Sequence, residues 1–256
     1  MKLEQEIKPD RISESGNVLF LILIAVALFA ALSYAVTQST RSGSGESNSE
    51  TSLINSAQLT QYPSGVRTAL VRMIIGGTQA DELLFNQPSD FGVGINTDDE
   101  RSRSVFHPQG GGAVFADAPV EVMSTGTQGA WIFTGDYAIQ NIGTTTNGVS
   151  TGNDVIAFLP NISGQVCRKI NDQIGLDISG GTDADGDGVP VGGATTVPTI
   201  ATNMLLDTKT PPFAVLDAAH TLDDAVFTGQ PFGCYDSQDG GSTTDGFIYY
   251  HVLIER

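Results

Sequence analysis

The sequence predicts an α+β protein: an apolar N-terminal helix, then a second helix packed on a mainly antiparallel β-sheet. Three observations carry this reading. Val18–Leu32 is a run of fifteen apolar residues without a break. Helical periodicity returns once more, between Leu53 and Ile74. From Leu83 onward, short apolar runs alternate with Gly, Asn, Asp and Thr, separated by turns too short for crossover helices.

The apolar run extends through Val36, giving about twenty residues or roughly 30 Å of helix, enough to cross a bilayer. Lys2, Lys8 and Arg11 stand on its leader side, and only Arg41 is close on the other. This asymmetry places the leader in the cytoplasm and the large domain across the membrane. The leader also holds Glu4, Glu6, Asp10 and Glu14, which is not the basic n-region of a secretory signal. Three readings are open: a signal peptide cut after Ser33-Tyr34-Ala35, an uncleaved anchor, or a leader cut before the helix. The resulting organisation is a cytoplasmic leader (1–16), a membrane and assembly helix (17–36), a flexible Ser/Thr/Gly linker (37–52) and an exported α+β domain (53–256).

In the second helix, Leu53, Ala57, Val66, Ala69, Leu70, Met73 and Ile74 are expected on one face, with Arg67 and Arg72 off it. Pro63 predicts a boundary or kink, and Gly76-Gly77 a stop. Strands or strand fragments are expected at Leu83–Phe85, Gly92–Ile95, Ala113–Ala116, Val120–Met123, Trp131–Thr134, Tyr137–Ile142 and Asp154–Leu159, the last few half-buried. Ser163 caps a helix through Ile174 that Gly175 ends, with Val166, Ile170 and Ile174 at four-residue spacing. Gly180–Thr199 reads as a long loop. Phe213–Leu216, Ala225–Thr228 and Phe232–Tyr235 are short strand candidates, and Phe247–Ile254 is the final strand of a terminal hairpin.

Formal charge is −17, of which the leader contributes only −1 from three basic and four acidic residues. The exported part is therefore acidic, and no basic stripe exists to bind nucleic acid. Two cysteines, Cys167 and Cys234, predict one disulfide in an exported domain, the alternative being two buried thiols. Asp183, Asp185 and Asp187, followed by Gly188, place carboxylates at alternate positions as Ca²⁺ loops do. A bidentate Glu is missing at the closing position, where Ala194 stands, so the choice is between a looser Ca²⁺ site and a solvated Asp/Gly loop. His107, His220 and His251 lie in no recognisable catalytic context, and no nucleophile elbow or phosphate loop is present. The expectation is a non-enzymatic protein.

Ser13-Glu14-Ser15-Gly16-Asn17 ends a polar leader in Gly directly before the apolar helix. This junction resembles that of type IV pilins and type II secretion pseudopilins, whose prepilin peptidase cuts after the Gly on the cytoplasmic side. The resemblance implies processing between Gly16 and Asn17 and an apolar helix that remains as the mature N-terminus. It also implies a pilin-like fold, partnership with other pilin-like subunits through that helix, and residence in a bacterial inner membrane with the main domain periplasmic or on a filament. Pilins usually carry Glu at the fifth mature position, which here is Leu21. That departure points to a minor or tip subunit. The alternative is a single-pass, membrane-anchored periplasmic binding domain that does not polymerise.

Overall fold

The computed structural model describes residues 15–144, 153–176, 188–192, 221–237 and 246–256, without the side chains of 15–17 and 38–49. Most of the leader, Asp183, Asp185, Asp187, His220 and the expected strand Phe213–Leu216 lie outside the described residues. The chain divides into two compact units, Met1–Glu50 and Thr51–Arg256.

The first unit is helical from Ser15, as the start of α1 (Ser15–Ile75). The flexible linker expected at 37–52 is not seen as a break: α1 is helical through it. Gly43 and Gly45 each cost about 1 kcal/mol in a helix interior, too little to stop propagation where no proline intervenes. A hydroxyl back-bond supports its start, Thr37 Oγ1 donating to the Ser33 carbonyl at 2.7 Å. The boundary between units, after Glu50, falls inside the expected linker.

In the second unit, α1 buries Ser56, Leu59, Pro63, Val66, Leu70 and Met73. These positions alternate by three and four, the spacing of one helix face. Of the expected face, Val66, Ala69, Leu70 and Met73 are buried, whereas Leu53, Ala57 and Ile74 are exposed and Leu59 is buried in addition. The helix also runs through Pro63. It ends as expected, with Gly77 at φ 103°. Thr78 N–H donates to Met73 O and Gly77 N–H to Ile74 O, both at 3.0 Å, a Schellman closure.

Between α1 and the sheet the expected runs form fragments at most, and none is a regular strand. Leu83–Phe85 and Gly92–Ile95 form only isolated bridges, Leu84 to Ser104 and Phe91 to Ile95. Ala113–Ala116 is irregular, and Val120–Val122 is a 3₁₀ turn, as are Ala80–Glu82 and Pro88–Asp90. Leu83, Phe85, Ile95, Val105 and Val122 are buried one by one rather than on an alternating face, with Pro88, Pro108 and Pro119 interrupting any ladder. A helix not expected from periodicity, α2 (Asp98–Arg103), forms here under a capping box of Thr97 and Glu100.

The sheet contains β1 (Ile132–Ile139), β2 (Asp154–Ile162), β3 (Thr221–Leu222), β4 (Phe232–Asp236) and β5 (Phe247–Ile254). Their order is β3-β1-β2-β5-β4, antiparallel except for β1 beside β3. The two strands expected around Gly135 are one, with a register irregularity between Thr134 and Tyr137. Ala225–Thr228 is a turn, not a strand.

The helix α3 (Gly164–Ile174) has the expected caps, Ser163 Oγ accepting the Val166 N–H at 3.4 Å and Gly175 at φ 68°. It and the second-unit part of α1 pack with Phe133, Ala157, Leu159, Tyr249 and Leu253. The opposite face gathers Ile132, Ile156, Phe158, Tyr250 and Val252 with Leu222 and Phe227. All eight residues of β1 are buried, so the half-buried strands expected there are covered on both faces. The turn region around Phe227 and the Tyr235 ring supply part of that second cover.

Candidate functional site

Val18–Thr37 is long and apolar enough to cross a membrane, with a mean hydropathy of 2.7. Every side chain described there is exposed. Fully burying one Leu, Ile or Phe is worth about 1.5–3 kcal/mol, so a stretch of this composition leaves on the order of 20 kcal/mol ungained in water. Lipid or other apolar helices recover it. No charged residue occurs between Val18 and Thr40, so nothing in the span requires an ionic partner. Gly16 and Asn17 lie in the first turn of α1, which starts at Ser15, where helices fray most readily.

Cys167 and Cys234 are joined by a disulfide with Cα atoms 5.4 Å apart, as expected. Its context was not legible. Asn171, one turn after Cys167 on α3, is buried. Its Nδ2 donates to the Cys234 carbonyl at 2.8 Å, and its Oδ1 accepts the Cys234 N–H at 3.0 Å. The amide thus pairs the outer backbone groups of β4, the last strand in the sheet order, as a neighbouring strand would. Val191 bridges Asp236 further along the same strand, and Asp236 N–H donates to Pro190 O at 3.0 Å. The signal was available as Asn171 following Cys167 by four, one helical turn on the same face.

Two buried ionisable groups sit near the C-terminal half of β5, His251 within the strand and Asp154 on β2 beside its end. His251 Nδ1 is 2.8 Å from the Tyr249 hydroxyl, and its ring stacks on Phe232 with centroids 5.4 Å apart. Burial, and then the Arg67 guanidinium, push His251 down to about 4. Burial also pushes the Tyr249 phenol up, so the pair is neutral at pH 7. Asp154, at the start of β2, accepts the Ile139 N–H at 3.2 Å and the Arg256 N–H at 3.0 Å. Burial pushes its carboxyl up to about 7, against the pull of those two backbone bonds. It ties the end of β1 to the segment following β5.

His107 Nδ1 accepts the Gln109 N–H at 3.2 Å, and its ring meets Phe91 edge-on, a turn contact. The proposed Ca²⁺ ligands Asp183, Asp185 and Asp187 are outside the described residues. Among the described residues no group of three or more His, Cys, Asp or Glu could hold a metal ion. No protein-family model matches this chain, and no curated protein and no solved structure is significantly similar to it.

Proposed function

We propose that this chain is a structural, non-catalytic subunit of a pilin-like filament or secretion pseudopilus. Its leader is cut by a prepilin peptidase between Gly16 and Asn17, and its apolar helix joins other subunits. The observation that carries this is α1 itself: one helix supplies an uncharged, wholly exposed apolar stretch and, in its later turns, a face of the folded domain's core. Such an element serves both as membrane segment while the subunit waits and as packing surface once it assembles. The disulfide supports an exported domain, and the basic leader residues support a cytoplasmic N-terminus. A bacterial inner membrane is the compartment this reading requires. Asp183, Asp185 and Asp187 would serve as a stabilising Ca²⁺ loop of that domain.

Leu21, in place of the usual Glu, points to a minor or tip subunit rather than a shaft subunit; the second reading is an anchored domain that does not polymerise. Both native cysteines are engaged in the disulfide, so a cysteine introduced in the helix is the chain's one free thiol. Oxidation of membranes carrying Leu21→Cys, Ile24→Cys, Ala25→Cys or Leu28→Cys, with the partner subunits co-expressed, is expected to give cross-linked adducts at positions three or four residues apart. Monomer alone at all four positions would establish the anchored domain instead.

A further inference from the structure

Away from the apolar helix, a cavity of about 700 Å³ lies between the end of α1, the 80–82 turn, α2 and the glycine turn at 110–111. That volume is within the range of small-molecule sites. Its ionisable wall residues are Arg72, Glu82, Asp99 and Arg103, with Thr78 contributing a hydroxyl; the Ser102 hydroxyl also lies in the wall but donates to the Asp99 carbonyl at 2.7 Å.

Formal charge balances across these residues, and each charged group is already partly engaged. Glu82 Oε2 accepts the Gln79 N–H at 3.2 Å within its own turn. Asp99 Oδ2 holds Arg103 Nη2 at 2.7 Å along α2. Both acids are thus engaged by neighbours on their own elements. Each guanidinium carries five N–H donors, of which Arg72 spends Nη2 on the Gly111 carbonyl at 2.8 Å and Arg103 spends Nη2 on Asp99. Of the donors that remain, Arg103 Nε is buried without a partner.

The ground beside this wall is also under-bonded. Arg103 Nε, the Ser104 hydroxyl and both polar atoms of the Asn86 side chain are buried with no hydrogen-bond partner; such groups call for an additional polar occupant nearby. Gly110 and Gly111 complete the wall, and a Cβ at either would strike the Ser104 or Val105 carbonyl, so this turn requires glycine. A recess walled by two forked cations suits planar, acceptor-rich groups.

We infer that this cavity binds a small molecule through an oxyanion, carboxylate or phosphate, gripped by Arg72 and Arg103 and supported by Thr78. The inference does not depend on how the apolar helix assembles. The test is thermal unfolding of the full chain in detergent micelles. Probes are inorganic phosphate, galacturonate and glucose, each against chloride at matched ionic strength. At least one anion is expected to raise the melting temperature saturably, by about 3 °C at tenfold excess over its Kd. Phosphate acting alone, or galacturonate acting alone, would identify the source of the oxyanion. Glucose should give no shift. Arg72→Gln with Arg103→Gln should abolish the shift measured against that variant's own baseline, whereas Arg67→Gln, on the same helix but outside the cavity, should keep it. If the double variant does not fold, Arg72→Lys, which keeps charge but loses the fork, should at least halve the shift. Absence of any anion effect, an equal effect of glucose, or a full shift in the arginine variants would overturn the assignment.

Discussion

The two stretches of α1 obey the same backbone geometry and differ in what their side chains ask of their surroundings. Val18–Val36 is apolar all round and exposed throughout, whereas residues 56–73 bury a single stripe and leave the rest to solvent. An all-round apolar helix has no preferred face, so only a medium or a bundle can satisfy it. A striped helix selects one partner, here the face of the sheet carrying Phe133, Ala157 and Tyr249. The difference teaches that one continuous element can carry two separable roles, one of partitioning and one of packing.

The largest effect that would break this division comes from charge in the first stretch. Ile24→Asp with Leu28→Asp places two carboxylates mid-span, each costing about 3 kcal/mol on insertion. Loss of carbonate-resistant membrane association is expected, with the melting temperature of the second unit unchanged. The reciprocal change, Leu70→Ala, empties a fully buried position and should cost about 2–5 kcal/mol of domain stability while leaving membrane association intact. A variant of either kind that moved both readouts would show the roles to be inseparable.

The disulfide closes a sequence separation of 67 residues, for which chain entropy predicts about 4 kcal/mol. Cys167→Ser with Cys234→Ser should therefore lower denaturant stability by about that amount. Asn171→Ala should add a further loss, because it uncovers the Cys234 N–H and carbonyl.

A smaller and more specific effect concerns pH. His251 falls to about 4 from an ordinary 6.5, so its share of stability is present above pH 6.5 and is lost as pH falls toward 4. Asp154 rises to about 7 from an ordinary 3.8, so its share is present below pH 3.8 and is lost as pH rises through 7. Each amounts to on the order of 3 kcal/mol across its window, with opposite sign. The two largely cancel between pH 4 and 6.5. Asp154→Asn should unmask a fall in stability on acidification from pH 6.5 to 4, and His251→Gln a rise over pH 7 to 4. Denaturation at pH 4.5, 6 and 8 checks this; identical slopes in both variants and the parent would contradict it.

Features encoded by strong local chemistry were legible in the sequence. The apolar helix, the Ser163 and Gly175 caps of α3, the bounds of β5 and the cysteine pair were all readable in this way. What escaped was set by tertiary context. The inner face of α1 was read correctly at Val66, Ala69, Leu70 and Met73 but not at its ends, where Leu53 and Ile74 are apolar yet exposed and the phase continues instead through Leu59 to Ser56 and Pro63. The continuity of α1 through 37–52 was obscured by glycines that weaken a helix without ending it. Burial of β1 on both faces depends on cover from distant segments such as Phe227. The short apolar runs between Leu83 and Met123 resemble strands in composition, but their backbone bonds close turns rather than ladders. At the candidate site, the span and the disulfide were readable, whereas Asn171 at the β4 edge and the arginine-lined cavity arise from chain segments that meet only in the fold.

The central claim is that the apolar helix is retained as the mature N-terminus after removal of its leader. Intact-mass and N-terminal peptide measurement of the protein, expressed with a prepilin peptidase, tests it most directly. The account predicts a chain beginning at Asn17, methylated on its amine as processed pilins are. A chain beginning at Val36, or an intact Met1, would contradict it.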